Sequence, residues 1–190
     1  MKPVLLVIDV QNDFCPGGAL QVAGGDQIIP VINQLIPLFD LVVYTRDWHP
    51  PDHISFASNP TFTDKSWPVH CVANTRGADF HPELDFSLNG MIIEKGINPN
   101  EEAYSAFHGT DLASILRKLG VDTIFATGLA TDYCVKATAL DGMTEGFQVY
   151  VVQDACKGVD NPPGSVEAAL DQLKSAGIKI ISAAEVDKLL

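Results

Sequence analysis

The chain has 190 residues, 46% of them hydrophobic and 19% charged, with 12 basic against 24 acidic side chains for a formal net charge of −12. This is an ordinary globular composition, and at this length roughly 70% of the extended-chain surface is buried on folding. A surface so acidic repels a phosphate backbone, which excludes nucleic acid as an expected partner and favours neutral or cationic small molecules.

The opening Met1-Lys2-Pro3 leads into an apolar run that ends at Asp9, too short for a secretory signal core or a membrane span. No later run reaches the ~18 uninterrupted apolar residues that would cross a bilayer. Cys15, Cys71, Cys134 and Cys156 form no CxxC pair and no dense disulfide framework, which suits a reducing compartment. A cytoplasmic protein without membrane attachment is expected, folded as one domain over residues 1–190.

In chain order, residues 4–8 (VLLVI) predict a first strand, with Asp9 directly after it. Residues 26–39 predict an amphipathic helix whose Pro30 sits in the first turn, where a missing N–H costs little. A second strand over 41–44 (LVVY) precedes Asp47 and His49. The stretch 48–88 is rich in Pro, His, Asp and aromatics and has no clear period. Long irregular segments inside compact domains are usually functional, and whether this one covers a site as a lid is left open by the sequence. A third strand over 91–93 (MII) leads to Lys95, and a helix over 111–119 ends at Gly120. A fourth strand over 123–127 (TIFAT) runs into Gly128-Leu-Ala-Thr-Asp-Tyr-Cys134. There a helix over 131–145 is predicted, with Thr131 as its N-cap and Cys134 at N3. Strands over 149–152 and 178–181 flank a helix over 165–176, and Ser182 with Glu185 has capping-box spacing.

Several of these strands are continuously apolar, as strands covered on both faces are. Their alternation with helices predicts an α/β fold: a doubly wound, mainly parallel six-stranded sheet with helices on both faces. Ligands in such sheets bind beyond the carboxyl ends of the strands. An acid (Asp9), possible metal ligands (Asp47, His49), an amine (Lys95) and a thiol (Cys134) all follow strand ends on that one rim.

Taken singly, each of these residues has an ordinary structural explanation. Asp9 could cap a turn, Lys95 could be a solvated strand-end charge, and Asp47 with His49 could lie in a polar loop. Cys134 could be a buried structural cysteine, since cysteine is among the most buried residues. Its predicted place in a first helical turn, where free N–H groups and the dipole favour a thiolate, points to a nucleophile instead. Cys71 and Cys156 read as structural, Cys15 is open, and His81 and His108 read as surface residues.

Six segments in order carry a family resemblance: IDVQNDF (8–14), DWHPPDH (47–53), WPVHC (67–71), EK (94–95), AYSAF (103–107) and GLATDYCV (128–135). Together they resemble the isochorismatase-like cysteine hydrolases and, within them, the nicotinamidase branch. The resemblance implies a nucleophilic Cys134 flanked by Asp9 and Lys95. It also implies an oxyanion hole from the Ala130 and Cys134 N–H groups, behind a non-proline cis peptide at Leu129–Ala130. A divalent metal, zinc first with ferrous iron or manganese as alternatives, is implied on Asp47, His49 and His70, with His53 a fourth ligand or a support behind them. Phe14, Trp67, Tyr104 and Leu129 are the implied substrate contacts. The implied reaction converts nicotinamide to nicotinate and ammonia in NAD salvage, by a homo-oligomer.

Opposite charges ~4 Å apart at an effective dielectric of ~20 interact by about 4 kcal/mol, roughly three pK units. Lys95 would lower the thiol's pKa by that order and Asp9 would raise it similarly, so Asp9 is expected to take the proton during attack rather than beforehand. Other readings are a relative acting on pyrazinamide or on a carbamoyl or ureido compound, an isochorismate vinyl-ether hydrolase, or a non-catalytic module of the same fold.

Overall fold

The computed structural model describes residues 1–62, 64–86 and 90–190. Of the irregular stretch 48–88, Thr63, Ser87 and Leu88 therefore lie outside the described residues. Six strands form one sheet: β1 (Pro3–Ile8), β2 (Val42–Asp47), β3 (Met91–Lys95), β4 (Thr123–Leu129), β5 (Gln148–Lys157) and β6 (Lys179–Ile181). Their order is β3-β2-β1-β4-β5-β6, and each neighbouring pair is parallel. The doubly wound parallel sheet expected from the apolar strands is borne out.

Strand parity explains the continuous apolar runs. Leu5 and Val7 of β1 pack into a core with α1 (Ile29–Leu35), through Ile29 and Ile32, and with Val186 of α5 (Ala183–Val186). Val4, Leu6 and Ile8 pack into the opposite core. There they meet Leu112 and Leu116 of α2 (Leu112–Lys118), Ala139 of α3 (Lys136–Thr144) and Leu173 of α4 (Ser165–Ser175). With helices on both faces, neither parity can be polar. The Glu185 carboxylate accepts the Ser182 backbone N–H at 2.8 Å, closing the expected capping box. No helix among the described residues is long and apolar enough to cross a membrane.

Two helix expectations need correction. The region 26–39 is three pieces: 3₁₀ turns at Gly25–Ile28 and Ile36–Leu38 flank α1, and Pro30 does lie in the first turn of α1. Pro37, which the sequence reading passed over, has no N–H to continue the α-helical ladder, so the helix tightens and stops. The region 131–145 does not start with a Thr131 cap. A wide π turn over Thr131–Val135 precedes α3, and the Ala130 carbonyl accepts from the N–H groups of Tyr133 (3.0 Å) and Val135 (3.1 Å), on either side of Cys134. Such bulged turns recur at functional sites. Two residues before Ala130, Gly128 pairs with Ile8 across β1 and β4 at φ +109°, where a Cβ would collide with the Ile8 backbone.

Candidate active site

The chain winds outward through β1, β2 and β3, then returns to place β4 on the other side of β1. Crevices in open sheets form at such a reversal, beyond the carboxyl ends of the strands. Asp9 is the first residue past β1 and takes the left-handed conformation, φ 51°. Asp47 and Lys95 end β2 and β3 as direct register partners, and Cys134 lies in the π turn after β4.

These four side chains meet. The buried Lys95 Nζ stands 2.9 Å from Asp9 Oδ2, 2.5 Å from Asp47 Oδ1, 3.2 Å from the Ala103 carbonyl and 3.5 Å from Cys134 Sγ. An oxygen of Asp9, an oxygen of Asp47 and the Cys134 sulfur all lie within 4.8 Å of one another. Thr45 on β2 donates its hydroxyl to Asp9 Oδ1 at 2.6 Å, which fixes the carboxylate's orientation.

Burial governs the protonation states. It pushes the Cys134 thiol well above its ordinary value, with Lys95 opposing and Asp9 reinforcing. Burial likewise raises Asp9, although Lys95 pulls against it. Lys95 resists burial because Asp47 and Asp9 hold its proton, and its pKa ends well above that of a free lysine. For Asp47, burial is outweighed by Lys95 and His49, so its carboxyl stays below the usual range. The resting arrangement is therefore a neutral thiol beside a permanent ammonium. Desolvation outweighs the local dipole that would favour a thiolate.

A second cluster adjoins the first. Ligand atoms of Asp47, His49 and His70 lie within 4.8 Å of one another, all three residues being buried. A parallel bridge between His49 and Val72, with the His49 N–H donated to the Cys71 carbonyl at 3.0 Å, brings the two histidine segments together. His49 Nδ1 faces the Gly96 carbonyl at 2.8 Å, and His70 Nδ1 faces the Pro68 carbonyl at 2.8 Å. Carbonyls only accept, so both rings carry a proton on Nδ1 and leave Nε2 as the atom a ligand would use; the Asp47 carboxylate 3.6 Å from His49 Nε2 raises that ring's pKa, so a metal there displaces a proton. His53 stacks on His49 with ring centroids 4.1 Å apart. Its Nδ1 accepts from the Ser55 hydroxyl at 2.7 Å and its Nε2 donates to the Glu101 carbonyl at 3.0 Å, so it supports His49 and offers no free lone pair. Two imidazoles and an ionised carboxylate, with their outer hydrogen bonds satisfied, fit a divalent transition metal.

Both clusters open on one cavity, where Asp47, His70, Ala130 and Cys134 share the lining with Phe14, Trp67 and Tyr104. Trp67 Nε1 donates to Tyr104 Oη at 3.0 Å, and the indole meets the Tyr133 ring edge-on at 5.0 Å. Leu129 is a correction: strand parity puts it with Phe125 in the core, 1% exposed and away from the cavity lining. The Leu129–Ala130 peptide is cis. Thr45, Tyr133 and Glu102, which also lines the cavity, were missed. Thr45 lies one residue past the predicted second strand, where nothing marks its hydroxyl, and Tyr133, lying just before Cys134, could have been found from the loop alone. Glu102 directly precedes the marked segment 103–107, and that neighbourhood is the signal that could have found it. Cys15, Cys71 and Cys156 are buried and unpaired.

Comparison with known proteins places this arrangement. The isochorismatase domain model matches residues 3–185. A nicotinamidase of Acinetobacter baylyi is 44% identical over 200 aligned residues, covering 96% of this chain and 93% of the relative. Among solved structures, a pyrazinamidase of Pyrococcus horikoshii in complex with zinc is 48% identical with a TM-score of 0.86, covering 96% of this chain and 99% of that one. PnC1 from L. infantum in complex with nicotinate is 35% identical with a TM-score of 0.87, covering 96% of this chain and 93% of that one. With a family model spanning every strand end that contributes to the crevice, the chain belongs to the isochorismatase domain family.

Proposed function

We infer that this chain is a nicotinamidase, an amidohydrolase that converts nicotinamide and water to nicotinate and ammonia. The observation that carries the reading is the Cys134 sulfur 3.5 Å from the Lys95 amine, in a cavity shared with Asp47 and His70. The nicotinamidase relative at 44% identity and the nicotinate complex of a structural neighbour support the choice of substrate.

Asp47, His49 and His70 would hold one divalent metal, which we assign as zinc; the pyrazinamidase neighbour in complex with zinc supports this over ferrous iron or manganese. When bound, the ion supplies a Lewis-acid anchor for the pyridine nitrogen. Phe14, Trp67, Tyr104 and Tyr133 enclose the ring and exclude water. With the carboxamide turned toward Cys134, the sulfur attacks the amide carbon as Asp9 takes the thiol proton. Lys95 steadies the charge on sulfur, and the N–H groups of Ala130 and Cys134 donate to the carbonyl oxygen, each such donor contributing ~10² to 10³ in rate. Asp9 then returns its proton to the leaving nitrogen, the C–N bond breaks and ammonia departs from a thioester. Water adds to the thioester carbon as Asp9 accepts its proton, the C–S bond breaks, and the proton goes back to sulfur as nicotinate leaves.

Nicotinate is a precursor of pyridine nucleotides, which puts the reaction in NAD salvage. Four unpaired cysteines support a reducing cytoplasm as the compartment. We also propose that the protein is a homo-oligomer, as its family resemblance implies. Ammonia release from a panel of nicotinamide, pyrazinamide, ureidoacrylate and isochorismate tests the assignment. Nicotinamide should have the highest kcat/KM, and a ureido or carbamoyl compound exceeding it would move the chain to another branch of the family.

A further inference from the structure

The segment IDVQNDF supplies Asp9 and Phe14 to the site, but the three polar residues between them take no part in the chemistry. Their side chains reach three different pieces of backbone. Gln11, fully buried, donates Nε2 to the carbonyls of Asp47 and Ala78, both at 2.9 Å, and accepts the Asp47 N–H on Oε1 at 2.8 Å. Asn12 donates to the Arg76 carbonyl at 2.7 Å. Asp13 accepts the Cys71 N–H on Oδ2 at 2.7 Å and the Ala19 N–H on Oδ1 at 3.1 Å. Gly77 lies against the Asp13 carboxylate so closely that a Cβ there would collide with it.

Two of these anchors fall on the metal cluster. Gln11 pairs with both backbone groups of Asp47, as a neighbouring strand would, and so sets the height at which that ligand leaves β2. Asp13 holds the peptide that joins His70 to Cys71, in a turn where Cys71 has a left-handed φ of 44°. His49 bonds to the same Cys71 backbone from the other side. Asp47 and His70, 23 positions apart in the chain, are thus registered against one short rigid template.

We propose that Gln11 and Asp13 are positioning residues for the metal: they preset the spacing of Asp47 and His70, and they link metal occupancy to the segment bearing Asp9 and Phe14. The inference rests on the metal reading above. Partners behind the ligands of a metal site typically contribute 10- to 100-fold in affinity, and thermodynamic linkage makes the effect mutual.

The test is zinc affinity by chelator competition on the full chain, with thermal unfolding measured with and without zinc. Asp13→Ala, at a partly exposed position, should weaken zinc binding at least tenfold although Asp13 touches no metal, and should shrink the zinc-induced rise in Tm. Asp13→Asn keeps an acceptor for the Cys71 N–H and should restore affinity to within threefold of wild type. Gln11→Met keeps the shape and removes the bonds, and should weaken zinc by a similar factor; should it fail to fold, Asp13→Ala decides. Asp13→Ala within twofold of wild type, with an undiminished zinc-induced rise in Tm, would overturn the proposal. A wild-type protein that binds no zinc, iron or manganese would instead overturn the metal reading itself.

Discussion

Lys95 and Asp47 end adjacent strands in direct register and meet at 2.5 Å. The same ammonium contacts Asp9 at 2.9 Å and the Cys134 sulfur at 3.5 Å, so one cation belongs to both the nucleophile's surroundings and the metal cluster. Four predictions follow from that sharing and from the groups around it.

Lys95→Met should damage more than the chemical step. It leaves two buried carboxylates without their cation, and breaking a buried pair in this way costs about 3–5 kcal/mol. Asp9, already raised by burial, loses the main charge opposing that rise, so its folded pKa stands further above its unfolded one and the variant loses stability as pH rises through that range. Urea unfolding at pH 4.5 and 7.5 measures this. A variant equally destabilised at both would show that charge is not the cause.

Replacement of Cys134 by Ala should reduce ammonia release by at least ~10⁴-fold, the order seen when a nucleophile is removed from a concerted catalytic group. The side chain is small and Ala keeps the π turn, so Tm should shift little. Residual turnover above a hundredth of wild type would rule out a covalent thioester.

Thr45→Val tests the base. Its hydroxyl holds Asp9 Oδ1 at 2.6 Å and opposes the rise that burial imposes on Asp9. Removing it should send the Asp9 pKa higher still. Asp9 must be ionised to accept the thiol proton, so the acidic limb of kcat/KM should move to higher pH while the alkaline limb stays in place. A profile that falls in height without moving would assign Thr45 a packing role only.

His70 makes the metal-free protein sensitive to acid. Burial pushes its pKa down from 6.5 to about 4, with Asp47 partly opposing. Because the folded pKa is depressed, the neutral ring's contribution is complete above the unfolded value of 6.5 and is lost as pH falls toward 4, by about 3 kcal/mol in all. Protons compete with zinc for the His70 lone pair of the folded protein only as pH approaches about 4, so loss of zinc affinity through this ring should begin there. Denaturation of metal-stripped protein at pH 7.5, 5.5 and 4.5 should show the loss, and His70→Asn should flatten it.

Much of the site is legible in the sequence because parallel sheets obey a simple rule. Asp9, Asp47, Lys95 and the Cys134 loop each follow an apolar run, and all such ends share one rim. What lies between side chains is not legible that way. The contact of Lys95 with Asp47 depends on strand register, which the runs alone leave open by a residue or two. The family resemblance implies Leu129 as a substrate contact, but alternation turns it into the core with Phe125. The wide turn at 131–135 has no local signature, because Thr131 looks like any cap until its buried position is known. Glu102 reaches the cavity only through packing of segments far apart in the chain.

Gly128 has a consequence for the nucleophile and its base. The hydrogen atom it carries in place of a methyl lets β4 ride against Ile8, one residue before Asp9 and six before Cys134. Any larger residue there would act as a wedge, prising apart the seam from which both groups extend. The reach from sulfur to carboxylate thus depends on an omission: a missing methyl keeps the two strands paired up to the point where the reacting groups begin.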